Sequence, residues 1–121
     1  MTYIPRFLEK KLKGLAGQYP VVALTGPRQS GKSTLVRQVF SDYQHVSLED
    51  LDSRQFAKND QRGFLETYSN GAIIDEAQNV PEIFSYIQGV VDKKNKPGQF
   101  ILTGSQNFLL HSQISQSLAG R

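Results

Sequence analysis

Residues 26–33, which read GPRQSGKS, constrain the fold of this chain more than any other part of its sequence. They fit the pattern of a glycine, four further residues, a glycine, a lysine and a serine or threonine. The octet follows the unbroken apolar run 21–24, typical of a strand buried on both faces, and opens a helix predicted over residues 32–40. This order of strand, glycine-rich turn and helix predicts a phosphate-binding loop, because backbone N–H groups and the positive helix end then face one anion.

The expected ligand of this loop is a nucleoside triphosphate with Mg²⁺. We expect Lys32 to bridge the β- and γ-phosphates, and Ser33 to place its hydroxyl on the metal ion. Thr34 serves either the helix or the α-phosphate. The predicted phosphate-binding set is Gly26, Pro27, Arg28, Gln29, Ser30, Gly31, Lys32, Ser33 and Thr34.

A pair of carboxylates, Asp75 and Glu76, directly follows the apolar run 72–74. A strand that ends in carboxylates predicts a site at the carboxyl edge of a sheet. We expect Asp75 to orient the magnesium ion together with Ser33, and Glu76 to polarise the attacking water, which makes Glu76 and Lys32 candidate catalytic residues. The alternative is a solvated turn.

Polar residues also follow the predicted fourth strand, residues 100–102. Ser105, Gln106 or Asn107 could sense the γ-phosphate or position water, and Ser105 is the residue we assign to that role. An ordinary helix cap formed by Ser105 is an equally good interpretation.

Strands and helices alternate along the chain, which predicts an α/β fold with a parallel sheet covered by helices. A short strand at residues 45–48 and one polar helical stretch at 51–69, with Asp50 or Asp52 as its cap, complete the first half. A helix near Pro81 precedes the fourth strand, and a last helix is expected to carry Leu110, Ile114 and Leu118.

Composition bounds the class of protein. The 121 residues are 38% hydrophobic and 21% charged with a net charge of +3, which favours one folded domain over residues 1–121. The chain has no cysteine and no apolar run of membrane-spanning length, so we expect a cytoplasmic protein without membrane contact. His45 and His111 lack a partner ligand at metal-binding spacing, and the sequence assigns them no chemistry.

The base is predicted to be adenine. A signalling GTPase would carry Asn-Lys-x-Asp, whereas residues 95–98 read NKPG and lack the aspartate. The expected cofactors are therefore ATP and Mg²⁺.

The chain resembles one group of prokaryotic AAA-type ATPases, in which this module is followed by a C-terminal domain of unknown function. The resemblance rests on residues 21–33, 73–78, 102–106 and 118–121, and extends to residues 3–6. It implies a P-loop NTPase three-layer sandwich with strand order 5-1-4-3-2, a Walker A loop at 26–33, Walker B residues Asp75 and Glu76, and a sensor near Ser105. It also implies a fifth strand and a long region beyond Arg121, so we expect an N-terminal ATPase core with weak turnover in isolation.

Two other functions stay open at this point. The chain could be a nucleotide-binding remnant without turnover, which shares every binding prediction with the ATPase. It could also be a fragment of a nucleic-acid motor, because residues 75–78 resemble a helicase box, although its basic residues are scattered without interleaved aromatics. A second copy of the chain or another protein stays open as a partner.

Overall fold

The computed structural model describes residues 6–26, 31–94 and 96–105. Helices and strands alternate along these residues, and the strands form one parallel sheet in the order β1-β4-β3-β2. The elements are α1 (Arg6–Gln18), β1 (Val21–Thr25), α2 (Lys32–Val39), β2 (Gln44–Ser47), α3 (Leu51–Asn59), α4 (Gln61–Thr67), β3 (Ala72–Asp75), a 3₁₀ helix (Ala77–Asn79), α5 (Ile83–Lys94) and β4 (Phe100–Gly104).

The sheet separates two apolar layers, because alternate residues of each strand point to opposite faces. Val21 and Ala23 pack on one side with residues of α3, α4 and α5, whereas Val22 and Leu24 pack on the other side with α1 and α2. The result is the predicted α/β fold with a helical layer on each face of a parallel sheet. The four strands follow the order 1-4-3-2, which matches the corresponding part of the order implied by the resemblance.

The register of the sheet brings the carboxyl ends of all four strands to one edge. Thr25 lies opposite Gly104 on β4, and Ser47 of β2 lies opposite Asp75 on β3. Each strand that was predicted to end at a site residue therefore ends at this edge. The four predicted strands agree with the structure to within two residues at each end, with β2 beginning one residue earlier than expected.

The polar stretch 51–69 forms two helices rather than the single helix that the sequence predicted. Asp60 ends α3 and caps α4, where its side chain accepts a hydrogen bond from the Gly63 N–H at 3.0 Å. A Cβ atom on Gly63 would lie 2.3 Å from the Asp60 carboxylate, so glycine makes room for this cap. Of the two candidate caps for α3, the structure selects Asp50, which accepts from the Ser53 N–H at 3.0 Å.

Two further predictions concern the last helix and contact with a membrane. The helix expected to carry Leu110, Ile114 and Leu118 lies outside the described residues. Across the described ranges, no helix has both the length and the apolar character that crossing a bilayer requires.

Candidate functional site

The predicted site residues meet at the carboxyl edge of the sheet. The Gly26 N–H donates a hydrogen bond to the Gly104 carbonyl oxygen at 3.2 Å, which ties the end of β1 to the end of β4. The helix α2 begins immediately beside this edge, with Gly31 as its N-cap and Lys32, Ser33 and Thr34 in its first turn. The rest of the predicted loop lies outside the described residues, namely Pro27, Arg28, Gln29 and Ser30.

Gly31 turns the chain into α2. Its φ of 88° and ψ of 2° lie in the left-handed region, which glycine adopts without the steric cost that a Cβ atom imposes. No side-chain cap is formed at this helix end within the part of the chain that the structure describes. The first-turn N–H groups and the positive end of the helix dipole are thus suited to an anion.

Lys32 and Glu76 face each other across the site. The Lys32 Nζ atom lies 3.7 Å from Glu76 Oε2, and their side chains are only 5% and 12% exposed. A cation is expensive to bury without an opposite charge, so this pairing compensates the charge of Lys32. The structure therefore brings together the predicted phosphate ligand and the predicted catalytic carboxylate.

Asp75 is held by three side chains. Its Oδ2 accepts a hydrogen bond from Ser33 Oγ at 2.7 Å, its Oδ1 accepts from Thr103 Oγ1 at 2.8 Å, and the His45 Nε2 atom contacts Oδ2. The residue is only 2% exposed. The predicted pair Ser33 and Asp75 is thus in direct contact, with both carboxylate oxygens oriented by neighbours.

Glu76 adopts a strained backbone conformation. Its φ of 55° is the one positive value at a non-glycine residue in the described ranges. The left-handed region costs an ordinary residue about 1–2 kcal/mol, and such strain concentrates at functional sites. The Glu76 N–H donates to Thr103 Oγ1 at 3.1 Å, which stabilises the turn that directs this side chain toward Lys32.

Gln78 connects Glu76 with the end of β4. Its Nε2 donates to Glu76 Oε1 at 2.9 Å, and its Oε1 accepts from the Ser105 N–H at 3.2 Å. Ser105, the predicted sensor, is therefore near the predicted catalytic carboxylate but reaches it through its backbone and Gln78. Gln106 and Asn107 lie outside the described residues.

Comparison with known protein families identifies the family of this chain. A family model for the AAA domain matches residues 18–121. The chain belongs to the AAA domain family. The recognition of an AAA-type P-loop ATPase core is thereby confirmed, and family membership supports nucleotide binding.

Two relatives of this AAA domain are uncharacterized proteins of Mycobacterium tuberculosis and Mycobacterium bovis. Each is 36% identical over 114 residues, which cover 92% of this chain and 25% of the relative. The chain therefore spans about a quarter of their length. In fold, the domain is similar to the crystal structure of a DNA replication initiation factor, with a TM-score of 0.56 and 15% identity over 92% of this chain and 40% of the other.

The donor atoms of the AAA domain fit a hard divalent cation. Ser33 Oγ and the Asp75 carboxylate supply oxygen, the ligand type that Mg²⁺ prefers. No group of three or more His, Cys, Asp or Glu side chains is placed to hold a metal among the residues that the structure describes. A Mg²⁺ ion at Ser33 and Asp75 would therefore take its other ligands from phosphate oxygens and water, as this ion commonly does.

Three residues of the site were not recognised from the sequence. His45 was assigned no chemistry, yet its imidazole contacts Asp75 because β2 pairs with β3. Thr103 and Gln78 carried no predicted role, although both hold the predicted Walker B carboxylates. Their positions shortly after predicted strand ends could have marked Thr103 and Gln78 as candidates, whereas no local signal marked His45.

A cleft of about 470 Å³ adjoins the site on the α2 side of the sheet. Its lining residues are Thr34, Arg37, Gln38, Phe40, Ser41, Tyr43, His45 and Ile73. Burial raises the pKa of the Tyr43 hydroxyl on this wall. The cleft reaches the site through His45 and Thr34, whereas Lys32 and Glu76 are not part of its lining.

Proposed function

We propose that this chain binds ATP with Mg²⁺ and hydrolyses it slowly, as the core of an AAA-type ATPase. The observation that carries the proposal is the convergence of four predicted residues. Lys32 Nζ lies 3.7 Å from Glu76 Oε2, and Ser33 Oγ lies 2.7 Å from Asp75 Oδ2. One edge of the sheet thus carries the Lys32 ammonium group for binding phosphate and the Ser33 and Asp75 oxygens for binding the metal. It also carries the Glu76 carboxylate for orienting water.

In this proposal the start of α2 binds the phosphates. The loop 26–33 supplies backbone N–H groups, Lys32 contacts the β- and γ-phosphates, and Thr34 lies beside the α-phosphate. Ser33 and Asp75 hold the magnesium ion, which neutralises charge on the phosphate oxygens. Thr103 orients Asp75 for that task. The His45 imidazole contacts Oδ2, the Asp75 oxygen that also faces Ser33 and would bind the metal.

Glu76 is the proposed residue that orients the attacking water. In the structure its carboxylate pairs with Lys32, so nucleotide binding would exchange this carboxylate for phosphate as the partner of Lys32. The exchange leaves Glu76 beside the γ-phosphate, where a carboxylate can accept a proton from water. Ser105 belongs to the same end of the site, one residue beyond β4.

The partners and the location belong to the proposal as well. The weak turnover expected of this chain follows from the resemblance, which implies that a longer C-terminal region contributes to full activity. A second copy of the chain or another protein is the proposed partner, and nucleic acid stays open as the less favoured alternative. The cytoplasm is the proposed location, which rests on the absence of cysteine from the 121 residues.

The deciding experiment measures MgATP binding by calorimetry and by the shift in melting temperature. We expect binding by the wild type, loss of binding in Lys32→Ala, and unchanged binding in the control Lys58→Ala, whose residue is exposed on α3. A wild type whose melting temperature MgATP does not change would rule out the proposal, because a ligand of the folded state must stabilise it.

Phosphate release at matched nucleotide occupancy separates the ATPase from a binding remnant. We expect Glu76→Gln to bind nucleotide and to release phosphate more slowly than the wild type. Equal rates for the two proteins would favour the remnant. A DNA titration addresses the motor alternative, which requires an affinity that falls as salt rises.

A further inference from the structure

We propose that Gln78 is a positioning residue that restrains the Glu76 carboxylate and so limits its competition with nucleotide for Lys32. This inference rests on the proposed function. It adds Gln78 to the site and states that this residue favours nucleotide binding. Within the described residues, the Gln78 side chain hydrogen-bonds to the Glu76 carboxylate and to the Ser105 N–H. It acts on the site through Glu76.

The geometry shows a restraint on one carboxylate oxygen and an ion pair on the other. Glu76 Oε1 accepts from Gln78 Nε2 at 2.9 Å, a normal hydrogen-bond length, whereas Glu76 Oε2 lies 3.7 Å from Lys32 Nζ. The second distance is too long for a direct hydrogen bond. The carboxylate is therefore held by Gln78 at a distance from the ammonium group.

The restraint matters because Lys32 has two competing anions once nucleotide is present. A buried ammonium group interacts strongly with whichever negative charge lies closest. If Glu76 closed on Lys32, the phosphates would have to break a shorter and stronger pair. The Gln78 hydrogen bond opposes that closure and thus favours phosphate binding.

Gln78 is itself anchored to the end of β4. Its Oε1 accepts from the Ser105 N–H at 3.2 Å, and the preceding residue, Gly104, accepts from the Gly26 N–H at the start of the loop. A displacement of residues 104–105 would therefore move the Glu76 carboxylate through one side chain, that of Gln78. We call this pair of hydrogen bonds, from the Ser105 N–H to Gln78 and from Gln78 to Glu76, the relay. In the relay, the backbone of Ser105 has the sensing role, and its hydroxyl group does not.

The first test compares Gln78→Leu in the wild-type and Glu76→Gln backgrounds, with MgATP affinity as the readout. Leucine has a similar size and forms no hydrogen bonds, so we expect affinity to fall about three- to tenfold in the wild-type background. In the Glu76→Gln background the same change should have no effect, since the competing charge is gone. The control Gln55→Leu, on the exposed face of α3, should bind as the wild type does.

The second test compares two substitutions of Ser105. Ser105→Pro removes the N–H that donates to Gln78 Oε1 and should weaken MgATP binding by a similar factor, again only where Glu76 is present. Ser105→Ala keeps this N–H and should lose less affinity than Ser105→Pro does. A thermal melt without nucleotide establishes that each variant is folded before its affinity is compared.

The outcomes distinguish the two proposals. A wild type that binds MgATP, together with a Gln78→Leu variant of equal affinity, overturns the relay and leaves the proposed function standing. An affinity loss that persists in the Glu76→Gln background also overturns it, because Gln78 would then act elsewhere. A wild type that does not bind MgATP overturns both.

Discussion

Thr103 Oγ1 donates a hydrogen bond to Asp75 Oδ1 at 2.8 Å, and this contact joins the ends of two neighbouring strands inside the protein. The same hydroxyl oxygen accepts from the Glu76 N–H at 3.1 Å. One fully buried side chain thus fixes both the predicted metal ligand and the strained residue that follows it. The orientation of the carboxylate pair depends on β4 as much as on β3.

We expect Thr103→Val to lower the free energy of unfolding by about 1–3 kcal/mol, because it leaves the buried Asp75 oxygen without its donor and the Glu76 N–H without its acceptor. Urea denaturation measures the change. Thr103→Ser keeps the hydroxyl and is the matched control. Equal stability of the valine and serine variants would contradict the role assigned to this hydroxyl.

We expect His45→Ala to lower the Mg²⁺ concentration required for half-maximal ATP binding by about threefold, since the imidazole and the metal compete for Asp75 Oδ2. A magnesium titration at fixed ATP measures this value. Gln44→Ala alters the adjacent exposed residue of β2 and should leave the requirement unchanged. A higher magnesium requirement in His45→Ala would show that the imidazole supports the metal site instead.

The N-terminus of α3 should show a pH-dependent contribution to stability. The hydrogen bond from the Ser53 backbone N–H holds the pKa of Asp50 below its ordinary value. A lowered folded-state pKa means that this contribution is present above the unfolded-state pKa, about 3.9 for aspartate, and is lost as pH falls through the folded value. The stabilising form is therefore the carboxylate.

Asp50→Asn tests this pH dependence, because asparagine keeps the capping oxygen and does not titrate. We expect the variant to melt below the wild type at pH 7 and the difference to shrink as pH falls below about 4. Melting curves recorded across this range supply the measurement. A difference that stays constant with pH would mean that the charge of Asp50 contributes nothing.

Phe64 is the core residue whose truncation should cost most on the α3 to α5 side. It is fully buried, and its ring packs against Phe56 at a centroid distance of 5.5 Å and Tyr68 at 5.0 Å. We expect Phe64→Ala to lower the free energy of unfolding by about 3–5 kcal/mol. The control Phe7→Ala removes a ring that is 73% exposed and should change it by less than about 0.5 kcal/mol.

Chemical denaturation monitored by circular dichroism measures both phenylalanine variants. Because a domain of this kind has only about 5–15 kcal/mol of stability in total, Phe64→Ala should also melt well below the wild type. Equal losses in the two variants would show that the ring of Phe64 is not part of the core.

Local sequence patterns predicted the strands well, for reasons that particular residues illustrate. The runs 21–24 and 72–74 are apolar without interruption, as strands buried on both faces must be, and both form strands of the sheet. The split at Asp60 was missed because a polar stretch has no apolar periodicity that marks a break. Asp60 itself resembles any surface aspartate until its capping contact with Gly63 is seen.

Short-range patterns of apolar residues and glycine were sufficient to predict the parallel α/β architecture. They also placed Lys32, Ser33, Asp75 and Glu76 at strand and helix ends. The distant side chains that complete the site could be identified only from the folded protein. His45 and Thr103 lie 30 and 28 residues from Asp75 along the chain and meet it through strand pairing. Gln78 meets Ser105 across 27 residues for the same reason. Such contacts depend on the register and order of the strands, which arise from the packing of the whole sheet rather than from any local pattern.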